Sequence, residues 1–294
     1  MSEPADAEGP PLRGTIRSGA FDLDYVVEGR GRPTLVIGSS VFYPRTFSPG
    51  LRRHLRLAFA DHRGFARAAG PVAASDFAFD TILADMDLVR ERLGFERMVV
   101  VGHSGHAYMA LEYAKRYPRR VSHLVLIAAG PSQGPAHREL AERHWEEAVC
   151  PERKARLERD LALLPADIAA DPDRRFVAFC IRMAARSWHD LGYDAGPLWD
   201  GVRVNMAGID HLWGEVFRDI DIRDGIEALA APVLLALGRF DYLVAPAHAW
   251  DPYRASFRDL TVRVFDRSGH TPQLEESRSF DEELLRWMAA HEVT

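Results

Sequence analysis

The chain of 294 residues contains little cysteine and no long apolar run. Cys150 and Cys180 are its only cysteines, too few for a disulfide framework, and this usage fits a reducing cytoplasm. No stretch of about 18 or more apolar residues occurs, so no membrane span is predicted. The first residues, Met1 to Asp6, are acidic and lack the apolar segment of a secretory signal. We therefore expect a cytoplasmic protein without a membrane partner.

The chain also lacks an excess of positive charge and any motif that binds phosphate or metal. It carries 37 basic and 43 acidic residues, a net charge of −6, so nucleic acid would be repelled on average. No glycine-rich phosphate loop stands at a strand–helix junction, and His103 and His106 do not form the His-Glu-x-x-His zinc motif. We expect no nucleic-acid partner, no metal and no cofactor, but a small-molecule substrate.

What the chain does have is an alternation of short apolar runs with helical patterns. The apolar runs that we interpret as strands lie at residues 35–37, 55–60, 98–101 and 124–129. The run at 98–101 is continuous, which is typical of a strand buried on both faces. The alternation predicts an α/β protein with a mostly parallel sheet and helices on both faces.

This alternation is interrupted once. From residue 131 to 231 the pattern is helical and charged, and strands resume at 233–237 and 261–265. We interpret the interruption as a helical cap over the carboxyl edge of the sheet, where ligands bind in open α/β sheets. The predicted organisation is a loose tail (1–13), an α/β core (14–130 and 232–294) and a helical cap inserted between two late strands (131–231).

The segment Gly102-His103-Ser104-Gly105-His106 follows the run at 98–101 directly. A buried strand that turns into a helix at a serine is the setting of a nucleophile elbow, which exposes the hydroxyl above the sheet. The backbone N–H of Gly105 is then placed to donate to an oxyanion. The signature usually has glycine where His106 stands. A tight turn around a purely structural serine is the alternative.

A serine nucleophile needs a base, and the base needs an acid that orients it. Asp241 directly follows the apolar run at 233–237, and His270 follows the run at 261–265. Taken separately, Asp241 also fits a loop-capping role and His270 a surface histidine. Because Ser104, Asp241 and His270 each follow a strand in this order, together they predict a catalytic triad.

On these residues the sequence resembles the α/β-hydrolase superfamily, and within it the proline iminopeptidase-like branch. The resemblance runs from about residue 15 to 288 and is weakest in the cap. Asp61-His62-Arg63-Gly64 also resembles the family's Asp-x-Arg-Gly turn, for which an ion pair and a glycine corner are the simpler account. Relatives that cleave epoxides or carbon–halogen bonds have aspartate at the elbow, so Ser104 implies acyl chemistry.

The family usually has His-Gly after its third strand, and the next residue donates a second N–H to the oxyanion. Here the aligned residues are Gly38-Ser39-Ser40-Val41. By position, the resemblance implies Ser40 as the donor that acts with Gly105, and Ser39 is the fallback. Loss of one such donor typically lowers the rate roughly a hundred- to thousand-fold, so a displaced loop predicts a slow enzyme.

The function implied is a serine hydrolase that cleaves a small ester or amide, with aminoacyl groups among the candidates. Ser104 attacks the carbonyl, His270 takes the proton, Asp241 orients His270, and water releases the acyl-enzyme. The same triad permits a carboxylesterase, a thioesterase or a carbon–carbon bond hydrolase. A non-catalytic ligand-binding protein, like the plant hormone receptors of this superfamily, is the alternative from another class.

The cap contains the candidates for substrate recognition. Aminopeptidase-like relatives hold the amine of the substrate with cap carboxylates, because a buried ammonium needs a paired charge. The candidate carboxylates, which also fit surface positions on helices, are Glu142, Glu146, Glu147 and Glu215. Among them we predict Glu215 as substrate-binding, together with Ser39, Trp213 and Tyr242.

Overall fold

The structure is a computed structural model, and it describes residues 10–292. Most of the predicted N-terminal tail, residues 1–9, lies outside the described residues. The first strand begins at Leu12, so the predicted tail boundary at residue 13 is wrong by two residues. Residues 12 and 13 pair with the next strand instead of remaining loose.

Among residues 10–292, nine strands form one sheet. They are β1 (Leu12–Ser18), β2 (Phe21–Glu28), β3 (Arg32–Gly38), β4 (Leu55–Asp61), β5 (Arg67–Ala68), β6 (Met98–His103), β7 (Val121–Ile127), β8 (Val233–Gly238) and β9 (Leu260–Phe265). Their spatial order is β1-β2-β4-β3-β6-β7-β8-β9, and β5 pairs with β2. The pairs from β4 to β9 are parallel, whereas β2 is antiparallel to β1, β4 and β5. The predicted mostly parallel sheet is confirmed.

The helices lie before, within and after the segment that separates β7 from β8 in the chain. The α-helices are α1 (Phe79–Arg92), α2 (His106–Arg116), α3 (Pro135–Ala148), α4 (Pro151–Ala170), α5 (Arg175–Arg182), α6 (Ala184–Ser187), α7 (Gly196–Trp199), α8 (Met206–His211), α9 (Phe217–Asp219), α10 (Pro272–Glu275) and α11 (Ser277–Ala290). A π-helical turn spans Leu212–Val216. The 3-10 helices are Tyr43–Arg45, Leu51–Arg53, Ala74–Phe77, Pro118–Arg120, Pro172–Arg174, Ile226–Ala228 and Ala247–Ser256. Across residues 10–292, no helix combines the length and the apolar character needed to cross a membrane.

The central strand β6 explains why the apolar run at 98–101 has no polar alternation. It lies between β3 and β7, and all of its residues are buried. Successive side chains of a strand point to opposite faces. Val100 joins the core beneath α1 and α2, and Val99 and Val101 join the core that contains Phe280 of α11. A strand covered on both faces must therefore be apolar throughout.

The segment between β7 and β8 contains α3 to α9 and lies over the carboxyl edge of the sheet. Its Asn205 side chain donates to the carbonyls of Arg63 (2.6 Å) and Ala66 (2.7 Å), just beyond β4. Arg45, from the loop after β3, donates to the carbonyl of Leu198 (2.8 Å) in this segment. These hydrogen bonds join the helical segment to the loops at the carboxyl ends of β3 and β4.

Candidate active site

Ser104 occupies the turn between β6 and α2 in a conformation that few residues adopt. Its φ is +58°, in the left-handed region, which costs about 1 kcal/mol or more for a residue with a side chain. Its N–H donates to the carbonyl of Ile127 on the neighbouring strand (2.8 Å). A Cβ at Gly102 would lie 2.2 Å from the carbonyl oxygen of His106, so only glycine permits this tight turn. The geometry is that of a nucleophile elbow.

Asp241 and His270 meet at the carboxyl ends of β8 and β9. The Nδ1 atom of His270 lies 2.7 Å from Oδ2 of Asp241, and both residues are buried. Oδ1 of Asp241 accepts the N–H of Leu243 at 3.0 Å. Because an ionised carboxylate can only accept, Nδ1 of His270 carries the proton and Nε2 is left as the basic nitrogen. The pair thus has the arrangement of a general base and its orienting acid.

Glu275, at the end of α10, supports the loop that contains His270, and no sequence motif marks this residue. One carboxylate oxygen accepts the N–H groups of Gly269 (3.0 Å) and Thr271 (3.0 Å), which flank His270. The other accepts the N–H of His189 (2.8 Å) from the inserted segment. Burial raises the pKa of Glu275, and these three amides oppose that rise. The carboxylate therefore links the histidine loop to the inserted helices.

Arg153 holds the same stretch of the inserted segment from the other side. This buried arginine of α4 donates to the carbonyls of Ala185 (2.9 Å), Trp188 (2.7 Å) and His189 (2.7 Å). Within that stretch, the carbonyl of Ser187 accepts the backbone N–H of His270 at 2.5 Å. Residues 185–189 are thus held by a guanidinium on one side and a carboxylate on the other, and Ser187 among them contacts the backbone of His270.

Contrary to the prediction from the sequence, the loop after β3 does not leave the backbone N–H of Ser40 free. The N–H of Ser40 donates to Oδ1 of Asp61 at 2.6 Å, so this amide is already occupied, and the prediction of Ser40 as the oxyanion donor is wrong for this geometry. The cause is strand register, since Gly38 pairs with Asp61 at the ends of β3 and β4. Burial raises the pKa of Asp61 to about 7, although hydrogen bonds from Ser40 oppose the rise. Ser39, the fallback, lines the cavity that contains Ser104.

That cavity has a volume of about 370 Å³, and both Ser104 and His270 line it. Most of its wall is apolar, and the aromatic residues of the wall are Phe42, Tyr43, Phe65, Phe176, Phe179, Trp188, Trp199 and Trp213. Trp213 belongs to the π-helical turn, a feature often found at functional sites. Its indole packs against Gly105 so closely that a Cβ there would lie 2.7 Å from the ring. The wall is therefore in contact with the elbow itself.

Two of the residues predicted to bind substrate, Ser39 and Trp213, line this cavity, and two do not. Glu215 is 64% exposed at its side chain and lies 2.9 Å from Nδ1 of His211. Tyr242 is buried, and its ring packs against Trp145 with the centroids 5.5 Å apart. Neither Glu215 nor Tyr242 is among the residues that line the cavity, so the cavity gives no support to their predicted role in substrate binding.

The one carboxylate that lines the cavity wall is a different cap residue, Glu142. Arg186 donates to both of its oxygens at 2.6 Å, and this hydrogen bonding lowers the pKa of the glutamate. Glu146 is paired with Lys154 at 2.5 Å and does not line the cavity. Among the described residues that line the cavity, the one carboxylate thus already has a cationic partner.

The histidines beside the elbow do not form a metal centre. Among residues 10–292, no group of three or more His, Cys, Asp or Glu side chains is arranged to hold a metal ion. His103 and His106 are instead hydrogen-bonded to the buried Tyr43, whose hydroxyl lies 3.2 and 2.9 Å from their Nδ1 atoms.

The amino-acid sequence is similar to those of known proteins. The family described as alpha/beta hydrolase fold matches residues 30–277. The AB hydrolase superfamily protein YclE of Bacillus subtilis is 42% identical over 275 residues, which cover 94% of this chain and 98% of that protein. The proline iminopeptidase of Neisseria meningitidis serogroup B is 32% identical over 253 residues, covering 78% of this chain and 76% of that protein.

Solved structures share the fold at lower identity. The proline iminopeptidase of Mycobacterium smegmatis has a TM-score of 0.73 and 18% identity, and the similarity covers 96% of this chain and 99% of that one. The esterase EaEST of Exiguobacterium antarcticum has a TM-score of 0.66 and 19% identity, with coverage of 95% and 100%. At such identities the likeness concerns the fold alone.

Proposed function

The chain belongs to the α/β-hydrolase superfamily, and we propose that it is a serine hydrolase that cleaves esters of small, mainly apolar acids. The observation that carries the proposal is a shared cavity. The strained Ser104 and His270, which come from separate strand ends, both line one largely apolar cavity, and Asp241 is hydrogen-bonded to His270 behind it. The family resemblance drawn from the sequence is confirmed, and the catalytic roles are our proposal.

In the proposed reaction, Oγ of Ser104 attacks the ester carbonyl carbon, and Nε2 of His270 accepts the hydroxyl proton. Asp241 keeps the proton on Nδ1 of His270 and stabilises the imidazolium that forms. The imidazolium then protonates the departing alcohol. A water molecule, deprotonated by His270, attacks the acyl-serine and releases the acid.

The oxyanion that forms in each step needs N–H donors. The amides of Gly105 and Ser39 have no hydrogen-bond partner among the described residues, whereas that of Ser40 is bonded to Asp61. Gly105 also lies at the N-terminus of α2, where the backbone dipoles favour negative charge. We therefore assign Gly105 and Ser39 as the two donors.

The cavity wall supports an apolar acyl group. A buried ammonium requires a free carboxylate, because burial of an unpaired charge is costly. Both oxygens of Glu142 are already bonded to Arg186, so its charge is balanced and it attracts an ammonium less strongly than a free carboxylate would. The aromatic wall needs no charged partner to hold an alkyl or aryl group.

Hydrolysis of aminoacyl substrates is the second candidate. The position of Glu142 on the cavity wall favours it, and proline iminopeptidases are among the relatives of the chain. In that case Glu142 would bind the substrate's amine, and the Glu142→Gln variant would lose activity on aminoacyl substrates only.

Matched assays with p-nitrophenyl butyrate and with alanyl- and prolyl-p-nitroanilide separate these functions. We expect ester turnover that falls at least about a thousandfold in Ser104→Ala and is retained in the control Ser75→Ala, an exposed serine of the 3-10 helix Ala74–Phe77. Serine-dependent cleavage of the anilides in preference to the ester would contradict the apolar ester assignment. Ester turnover that persists in Ser104→Ala would contradict the mechanism, and absence of turnover on all substrates would favour a ligand-binding protein.

A further inference from the structure

A continuous chain of buried polar side chains runs beneath the cavity and is not used by the reaction above. It contains His62 after β4, His106 and His103 beside the elbow, and Tyr43 after β3. Nε2 of His62 lies 3.1 Å from Nε2 of His106, and Nδ1 of His106 lies 2.9 Å from the Tyr43 hydroxyl. That hydroxyl is 3.2 Å from Nδ1 of His103. All four side chains are at most 5% exposed.

At each end of this series of side chains, the hydrogen-bond partner is a backbone group that can act in only one way, as a donor or as an acceptor. At one end, the backbone N–H of Gly64 lies 3.0 Å from Nδ1 of His62, and an amide can only donate. At the other end, Nε2 of His103 lies 2.6 Å from the carbonyl oxygen of His270, which can only accept. His62 therefore accepts at Nδ1, and His103 donates from Nε2.

These two ends determine the proton positions between them. A neutral His62 that accepts at Nδ1 carries its proton on Nε2 and donates it to Nε2 of His106. His106 must then carry its proton on Nδ1, where it donates to the Tyr43 hydroxyl. Tyr43 in turn donates to Nδ1 of His103, which leaves the proton of His103 on Nε2. Every hydrogen bond from Gly64 to His270 thus points the same way.

The arrangement leaves no nitrogen free for a further proton. A second proton on His62 or His103 would meet a donor, since Gly64 and Tyr43 both donate to them. Burial lowers the pKa of all three histidines, to about 4 in the case of His106. Geometry and electrostatics therefore agree that the three rings are neutral and each has one tautomer.

From this geometry we propose that Tyr43 and His103 are positioning residues for His270. The proposal rests on the proposed function, in which Ser104 and His270 exchange a proton. Those two residues come from different loops, and a misplacement of about 1 Å between reacting groups can cost roughly a hundredfold in rate. His103 is adjacent to Ser104 in the chain, so its hydrogen bond joins the elbow directly to the backbone of the base.

The Tyr43 hydroxyl holds the ring of His103 from its other side. Without that hydroxyl, Nδ1 of His103 loses its donor, and only the hydrogen bond from Nε2 to the carbonyl of His270 still orients the ring. The ring is then free to tilt and to shift the backbone of His270. The consequence is a displaced base in an otherwise intact cavity.

The first test compares turnover in Tyr43→Phe and Tyr113→Phe. Tyr113 is the matched control, because it is also buried and its hydroxyl donates a hydrogen bond to a side chain away from the cavity lining, Asp87 at 2.9 Å. For p-nitrophenyl butyrate we expect kcat of Tyr43→Phe to fall about tenfold to a hundredfold, with KM changed less than about twofold. Tyr113→Phe should retain kcat. Equal kcat values in the two variants would overturn the positioning role.

A second variant pair tests the bond to His270 itself. Glutamine can place an N–H near the position of Nε2 of histidine, and phenylalanine cannot. We expect His103→Gln to retain more of kcat than His103→Phe, although both fill a similar space. If the two variants lose the same activity, the hydrogen bond from His103 has no positioning role.

The decisive readout does not depend on turnover. Long-range ¹H–¹⁵N spectra of histidine-labelled protein should show Nε2–H tautomers for His62 and His103 and an Nδ1–H tautomer for His106. In Tyr43→Phe, the Nδ1 signal of His103 should shift, because this nitrogen loses the hydrogen bond from the hydroxyl. An Nδ1–H tautomer for His103 in the wild type would overturn the proposal. A wild type without Ser104-dependent turnover would instead contradict the proposed function and, with it, the positioning role.

Discussion

Replacement of His106 by phenylalanine should make the stability of the protein less sensitive to acid. His106 has an ordinary pKa of 6.5 when unfolded and a pKa of about 4 in the folded protein, because burial disfavours its charged form. Between these values the unfolded chain binds a proton and the folded chain does not, so stability falls as the pH falls. Each pH unit in this range lowers the free energy of unfolding by about 1.4 kcal/mol.

From pH 7 to pH 5, the free energy of unfolding of the wild type should fall by about 2 kcal/mol through His106 alone. At pH 7 the variant should be less stable than the wild type by about 1–3 kcal/mol, because the Nε2–H of His62 loses its partner. At pH 5 this difference should have shrunk by about 2 kcal/mol. Urea unfolding at pH 7, 6 and 5, followed by tryptophan fluorescence, measures both values.

In the same experiment, the stability of Asp61→Asn relative to the wild type should change with pH in the opposite direction. The pKa of Asp61 is raised from 3.8 to about 7 by burial, so the folded protein holds a proton that the unfolded chain has lost. The stability that this contributes is fully present below pH 3.8 and is lost as the pH rises to 7. The variant should therefore lose about 2 kcal/mol relative to the wild type from pH 7 to pH 5. If the stability difference between His106→Phe and the wild type does not depend on pH, the neutral state of His106 is refuted. If the difference for Asp61→Asn does not depend on pH, the protonated state of Asp61 is refuted.

Three further changes test the site. Asp241→Asn should lower kcat about 10³- to 10⁴-fold with little change in KM, since the amide favours the wrong tautomer of the base; steady-state kinetics that show less than a tenfold loss would contradict the role of the acid. Gly105→Ala should lower kcat/KM and cost about 1–3 kcal/mol in urea unfolding, because its Cβ would lie 2.7 Å from the Trp213 ring, and an unchanged variant would show that this contact yields freely. Glu275→Gln removes acceptor capacity beside three amides and should lower both kcat and the melting temperature; a change in melting temperature alone would leave Glu275 a purely structural role.

Residues whose positions follow from sheet topology could be predicted from the sequence. Parallel strands end at the same edge of a sheet, so residues directly after β6, β8 and β9 must lie near one another. Ser104, Asp241 and His270 were selected on that ground, and Asp241 and His270 do contact each other. The continuous apolar run of β6 identified the central strand for the same reason, since only burial on both faces permits it.

Residues whose positions depend on the path of a loop could not be predicted. Which of Ser39 and Ser40 presents a free amide is decided by Asp61, through the register of β3 with β4. Glu215 is predicted to bind substrate because residues 210–217 are less uniformly charged than residues 139–160, but charge content does not show which way a side chain points. In the structure Glu215 belongs to the π-helical turn and is 64% exposed beside His211.

The start of the sheet was missed for a different reason. Leu12 is the first residue of the edge strand β1 and is 52% exposed, so burial of its side chain does not mark the point where the strand begins. Backbone pairing with β2 determines its conformation. Glu275 and Arg153 were missed in the same sense, because their importance lies in backbone groups that they bind, which sequence patterns do not display.

The most direct test of the central claim is covalent labelling of the nucleophile. The full-length protein should react with one equivalent of a p-nitrophenyl alkylphosphonate, and mass spectrometry of the digested product should place the adduct on Ser104. Labelling should disappear in Ser104→Ala and slow by orders of magnitude in His270→Ala, while Ser75→Ala labels as the wild type does. An adduct on any other residue, or equal labelling of Ser104→Ala, would contradict the assignment of Ser104 as an activated nucleophile.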